Sequence, residues 1–210
     1  MTTRPGQLRT VRELPPGYAE ARFFHLTTLR NLLLLNVAAL PLLVGSGLGF
    51  FALLSLVYGV GGPWVLVPGL PENLHPLAGI GFLLLTIPLH ELAHGLAIQF
   101  YGHPVRYGVK LRKGVFFTTA DGALFWRDQY LVVVLAPLVL LSVVFFVVSL
   151  IVPSGIAFWL MVGAAINAAG AVGDVWMSWI TWRQPAAVLI RDEEDGMRLF
   201  LPEDQPGGVR

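Results

Sequence analysis

The sequence predicts an all-α polytopic membrane protein, with about four transmembrane helices and a short cytoplasmic β-hairpin between the second and third. Three observations predict it. Hydrophobic residues make up 55% of the 210-residue chain and charged residues only 13%, about half the charged fraction usual in a soluble domain. The apolar residues gather into long runs, each near or above the roughly 20 residues that cross a bilayer. All 14 Lys and Arg lie outside those runs. A net charge of +1 with no basic block argues against a nucleic-acid partner. The absence of cysteine excludes disulfides, thiolate metal sites and a thiol nucleophile, so any metal must be held by His, Asp or Glu.

Taken in order, residues 1–30 read as a cytoplasmic tail. Its first 22 residues are polar and rich in Pro and Arg, without the apolar core and small-residue cleavage site of a secretory signal. Residues 31–183 form the membrane domain. Span one covers about 31–60 and contains Pro41 and the small residues Gly45, Ser46, Gly47 and Gly49; its length implies a tilt or a bend. Span two covers about 76–101, span three about 130–152 and span four about 155–182. Trp176, Trp179 and Trp182 near the end of span four suit an interfacial belt. Cations cluster before span one, between spans two and three (Arg106, Lys110, Arg112, Lys113, Arg127) and after span four. The loop at 61–75 and the turn at 153–154 have none. The positive-inside rule then predicts a multi-pass protein of the cell (inner) membrane with both termini cytoplasmic.

Between spans two and three, Val105, Tyr107, Val109 and Leu111 alternate with Arg106, Gly108, Lys110 and Arg112. Gly114 and the β-prone run 115–119 follow, so the segment reads as a hairpin at the membrane face; an interfacial loop with a basic edge for anionic lipid is the competing reading. Residues 184–210 mix Asp192, Glu193, Glu194 and Asp195 with Arg and Pro and read as a solvated, partly disordered cytoplasmic tail.

Span two carries His90-Glu91-Leu92-Ala93-His94, a complete H-E-x-x-H. Residues four apart share one helix face, so both imidazoles can bind one Zn²⁺ with Glu91 beside them as general base. Ionisable groups inside a membrane span are expensive and point to function. Only Glu91 and Asp174, among 13 Asp and Glu, fall within the predicted spans. Both spans run outside to inside, with Glu91 about ten and Asp174 about eight residues before the cytoplasmic end, a depth difference of a few ångströms at about 1.5 Å per residue. Gly163, Asn167, Gly170 and Asp174 fall on one helical stripe, where small residues permit close approach. Asp174 is therefore the candidate third zinc ligand, with water fourth. Asn167 is a candidate hydrogen-bond donor to the tetrahedral oxyanion or to substrate backbone, with a purely structural interhelical hydrogen bond as the equal alternative. Pro88 can kink span two beside the site.

With Asn167 and Gly173-Asp174 two spans after His90–Gly95, the chain resembles the site-2 protease class of intramembrane zinc metalloproteases, and more narrowly the bacterial family of putative zincin membrane peptidases. The resemblance covers roughly residues 75–182. It implies an intramembrane metalloendopeptidase, with His90, His94 and Asp174 as the zinc set and a β-structured segment after the metal-binding helix. The implied partners are the lipid bilayer and a membrane-embedded or membrane-proximal protein or peptide substrate. The usual Asn-x-x-Pro…Asp-Gly pattern lacks its Pro here, and Val175 replaces the Gly.

Rival readings are a catalytically inactive zinc-binding scaffold and a metal or proton transporter, the latter weakened by the absence of a repeat pair. His25 and His75 read as interfacial. His103 lies two turns or more past His94 and beside Pro104. Asp121 is an alternative third ligand, but Asp-Gly reads as a turn.

Overall fold

A computed structural model describes residues 11–59, 67, 69–110, 115–120, 122–193 and 195–203. The helices are α1 (Leu29–Tyr58), α2 (His75–Phe100), α3 (Arg127–Ser149), α4 (Ser154–Gly170) and α5 (Val172–Trp182). Three of these, α1 to α3, are long and apolar enough to cross a membrane; α4 and α5, bent by 48°, make a fourth if the pair is one broken span. The strands are β1 (Tyr18–His25), β2 (Arg106–Lys110), β3 (Val115–Thr119), β4 (Leu124–Trp126), β5 (Leu189–Glu193) and β6 (Gly196–Pro202). The chain divides into two compact units, one of residues 1–34, 91–136 and 173–210, the other of residues 35–90 and 137–172.

The fold is thus mostly helical but not all-α. The first unit contains a four-stranded antiparallel sheet in the order β1-β6-β5-β4. The two terminal segments, expected as tails, supply three of its strands. Ile190, Met197 and Leu199 are fully buried in a core that they share with Phe125, Tyr130 and Val133, and Leu189 is fully buried in another with Leu124 and Phe200. The charges that made 184–210 look solvated are paired. Arg198 binds Glu193 at 2.6 Å and Glu20 at 2.7 Å, and its guanidinium lies 4.6 Å from the Phe23 ring centroid. A short amphipathic strand pair reads as a polar tail until its partner strand, more than 160 residues away, neutralises one face. Gly196, at φ 152°, makes the approach possible: a Cβ there would lie 1.9 Å from the Phe24 carbonyl oxygen.

The expected hairpin is present as β2 paired antiparallel with β3, Tyr107 opposite Thr118; its turn, with Leu111, Arg112, Lys113 and Gly114, lies outside the described residues. Both members of that pair sit on α2. The Thr118 hydroxyl donates to the Glu91 carbonyl at 3.1 Å, and a Cβ on Gly95 would lie 2.0 Å from the Tyr107 hydroxyl. The hairpin therefore covers the helical turn between Glu91 and Gly95.

The second unit is a helical cluster whose core holds Leu54, Leu141, Phe145, Ala157, Met161 and Ala164. Missing side chains let the helices close: a Cβ on Gly79 would meet the Trp159 ring at 2.3 Å. Along α1 only Leu54 is buried, while Leu33, Leu40, Val44, Leu48 and Leu56 point outward. A helix apolar on its outer face belongs in a lipid-like surrounding, because water would leave that area unpaid by any burial.

Span four is not one helix. Ala171 caps α4, with its N–H on the Asn167 carbonyl at 2.9 Å, and α5 begins at Val172. Gly170 and Gly173 flank the break, and glycine is the weakest helix former after proline. The expected continuous stripe from Gly163 to Asp174 is interrupted there. Asp174 instead falls in the first turn of α5, where the unsatisfied N–H groups and helix dipole favour a carboxylate.

Candidate metal centre

His90 and His94 lie one turn apart on α2. The division between the units falls at the His90–Glu91 bond, within an unbroken helix, so backbone geometry alone sets the two rings side by side. His94 Nε2 lies 3.5 Å from Asp174 Oδ1. One ligand atom each from His90, His94 and Asp174 lie within 4.8 Å of one another. Two donors about 2.1 Å from a tetrahedral ion stand about 3.4 Å apart, so the His94–Asp174 spacing suits two ligands of one zinc. Two neutral imidazoles and a buried carboxylate also match zinc's preference for nitrogen and oxygen donors.

The tautomers follow from the atoms behind the rings. His94 Nδ1 lies 2.9 Å from the Val133 carbonyl oxygen. A carbonyl only accepts, so Nδ1 carries the proton and Nε2 is left as the ligand atom. Val133 is available because of Pro137, inside α3. Residue 137 would ordinarily donate its N–H to the carbonyl four residues earlier, and proline has none.

His90 is held differently. Its Nδ1 lies 2.9 Å from Asn167 Oδ1, and Asn167 Nδ2 donates to the Pro137 carbonyl at 3.0 Å. Because that carbonyl accepts only, the amide nitrogen must face it and the amide oxygen must face His90. His90 Nδ1 is then the donor and its Nε2 the ligand atom. Pro137 thus serves both rings, leaving one carbonyl free for His94 and offering another to the amide that holds His90.

A second carboxylate stands close by. Tyr130 donates to Asp192 Oδ1 at 2.8 Å, and Thr119 donates to the Asp192 backbone carbonyl at 3.2 Å. Burial pushes the Asp192 carboxyl up to about 7, against the opposing pull of the Tyr130 hydrogen bond and of His94.

Among the described residues, the remaining histidines stand apart from this group. His25 is exposed and edges onto Phe23 at 4.3 Å. His75, expected at the interface, is buried and accepts the Val67 N–H at 3.2 Å. His103 is buried against Phe125. Asp121 lies outside the described residues. Sequence reading did not single out Pro137, Tyr130, Asp192 or Thr118. Only Pro137 carried a signal, since a proline inside a span always releases the carbonyl four residues before it.

Helices long and apolar enough to cross a membrane, together with a His, His, Asp group that could hold a metal ion, are compatible with a membrane metalloprotein of zincin type. The chain belongs to the putative zincin peptidase family, whose model matches residues 83–189 and so includes His90, Glu91, His94, Pro137, Asn167 and Asp174. No curated protein and no solved structure matches the chain. Membership implies zinc as the metal and peptide hydrolysis as the chemistry.

Proposed function

We propose that the protein is an intramembrane zinc metalloendopeptidase that cuts membrane-embedded or membrane-proximal proteins, with Glu91 as general base. The observation that carries this reading is the convergence of His90, His94 and Asp174 beside Glu91 on a helix long and apolar enough to cross a membrane.

Bound zinc supplies a Lewis acid and lowers the pKa of its water to about 7. The chain's own residues do the rest. His90, His94 and Asp174 hold the ion. Glu91 accepts the proton of the attacking water and returns it to the leaving amine. Asn167 has its oxygen on His90 and its nitrogen on Pro137, which supports a positioning role in place of the oxyanion donor that the sequence suggested. The hairpin over Glu91 and Gly95 limits access to that turn of α2, and an extended substrate can reach it along the β2–β3 face. The cation distribution supports cytoplasmic termini, an inner-membrane location and a site nearer the cytoplasmic side.

The test combines metal analysis with cleavage of a membrane-protein substrate library by the purified protein. Glu91→Gln keeps zinc and loses about 10²–10⁴-fold in rate, the usual worth of a positioned general base. Asp174→Asn loses zinc. Unchanged cleavage in Glu91→Gln would remove the mechanism, and full zinc in Asp174→Asn would remove the third ligand. Zinc retained without metal-dependent cleavage by the wild type would leave a zinc-binding scaffold.

A further inference from the structure

We propose that Arg12 and His103 form a binding site for a phosphate-type oxyanion, separate from the metal centre. The two residues line a cavity of about 470 Å³ in the sheet-bearing unit, completed by Gly102, Pro104, Gly122 and Ala123. Four of the six lining residues offer mainly backbone, so Arg12 and His103 set its chemistry.

His103 is 3% exposed, yet neither ring nitrogen has a hydrogen-bond partner. Buried polar side chains are rarely left so, and one that is calls for a specific explanation. The ring is not free to turn away. Its backbone N–H is tied to the Ile98 carbonyl at 3.3 Å, and the ring packs edge-to-face with Phe125 at 4.7 Å between centroids. Arg12 is exposed, with no ion pair or hydrogen bond to any described residue.

The charge at this cavity selects the ligand's sign. Burial, together with the Arg12 guanidinium, holds the His103 imidazole below its ordinary pKa. A cation would add to that repulsion. An oxyanion instead accepts from the guanidinium and from an imidazole N–H, and both bonds are charge-assisted. Position narrows the class. His103 follows Phe100, the last residue of α2, by three positions. The end of a spanning helix lies at the level of lipid phosphates. The shared chemistry is a phosphate, supplied by a lipid headgroup or from solution.

The test is a titration of the full-length protein, labelled with ¹⁵N in its histidine rings and held in detergent micelles. The probes are sodium phosphate and dihexanoyl phosphatidic acid, each at constant ionic strength. The His103 signals are identified by their loss in His103→Asn, which separates this site from any phosphate taken up at the metal. Saturable shifts of those signals, with a rise in the imidazole pKa, are expected. Arg12→Gln, a surface change whose intact fold is checked by its melting temperature, is expected to weaken the response about tenfold. A response to the lipid alone assigns a headgroup, one to phosphate alone assigns the free anion, and one to both assigns either source; each upholds the site. Shifts absent with both probes, or undiminished in Arg12→Gln, overturn it.

Discussion

His90 and His94 are equivalent in the H-E-x-x-H pattern, yet the molecule holds them by different means. His90 rests on a side-chain amide, Asn167, which is itself held by a backbone carbonyl. His94 rests directly on a backbone carbonyl, Val133. The surroundings differ too. A neutral amide backs His90, whereas His94 faces the Asp174 carboxylate and lies within the field of Asp192. One ring can therefore be released by changing a single side chain. The other can be reached only through the proline that frees its acceptor.

The largest effect that tests this contrast is Asn167→Ala. It removes the acceptor for His90 Nδ1 and leaves the Pro137 carbonyl without its donor. Loss of such a partner behind a metal-binding histidine costs about 10–100-fold in metal affinity, and the upper end is expected because two buried groups are orphaned together. Competition with a zinc chelator measures it; affinity within twofold of wild type would show that the amide does not hold His90.

Asp192→Asn tests the ionisable side. The folded protein holds the Asp192 proton to about pH 7, while an unfolded aspartate releases it near 4. The folded state therefore binds more protons across that interval, and stability falls as pH rises through it. Melting temperatures of the metal-free protein are expected to decline from pH 4 to 7 and then level off. The Asn variant removes that slope, worth on the order of 4 kcal/mol at pH 7. An identical slope in both proteins would place the titration elsewhere.

Pro137→Ala is expected to act more gently. A carbonyl has two lone pairs, so Val133 can share itself between His94 and the N–H that the substitution restores at position 137. Zinc affinity falls about tenfold. The metal-free protein gains helix stability, since proline inside a helix costs about 3 kcal/mol relative to alanine. Opposite signs in the two measurements are the signature; loss of both would mean that proline shapes packing and does not act through His94.

The smallest effect is Gly95→Ala. The new methyl would collide with the far end of the Tyr107 side chain, which can swing aside, so a loss below about 1 kcal/mol is expected. Faster hydrogen exchange in β2 and β3 would report that the hairpin has lifted from α2. Exchange unchanged from wild type would show that Tyr107 does not anchor it.

Legibility in the sequence followed the range of the interactions. The apolar runs, the H-E-x-x-H and the hairpin alternation are local patterns, and the helices and β2–β3 fall close to where those patterns set them. Asp174 was legible because carboxylates inside spans are rare enough to compare. The sheet was not, since β5 and β6 carry as many charges as a solvated tail would. Their pairing with β1 depends on Glu20 and Phe23 meeting Arg198 across the length of the chain. Asn167 was open in the sequence for a related reason: its residue type suits either an oxyanion donor or a strut, and its hydrogen bonds to His90 and Pro137 favour the strut.

By itself, the sequence determined where the long apolar helices fall and which side chains stand together as a possible metal-binding group on one helix face, because hydropathy, side-chain donors and helical spacing are properties of contiguous residues. The tertiary structure alone decided which nitrogen of each histidine is left for the metal, which backbone carbonyl a proline makes available, and that the chain's two terminal segments close one sheet. Those are matters of hydrogen-bond direction and of contacts between distant residues, and neither is written in any local pattern.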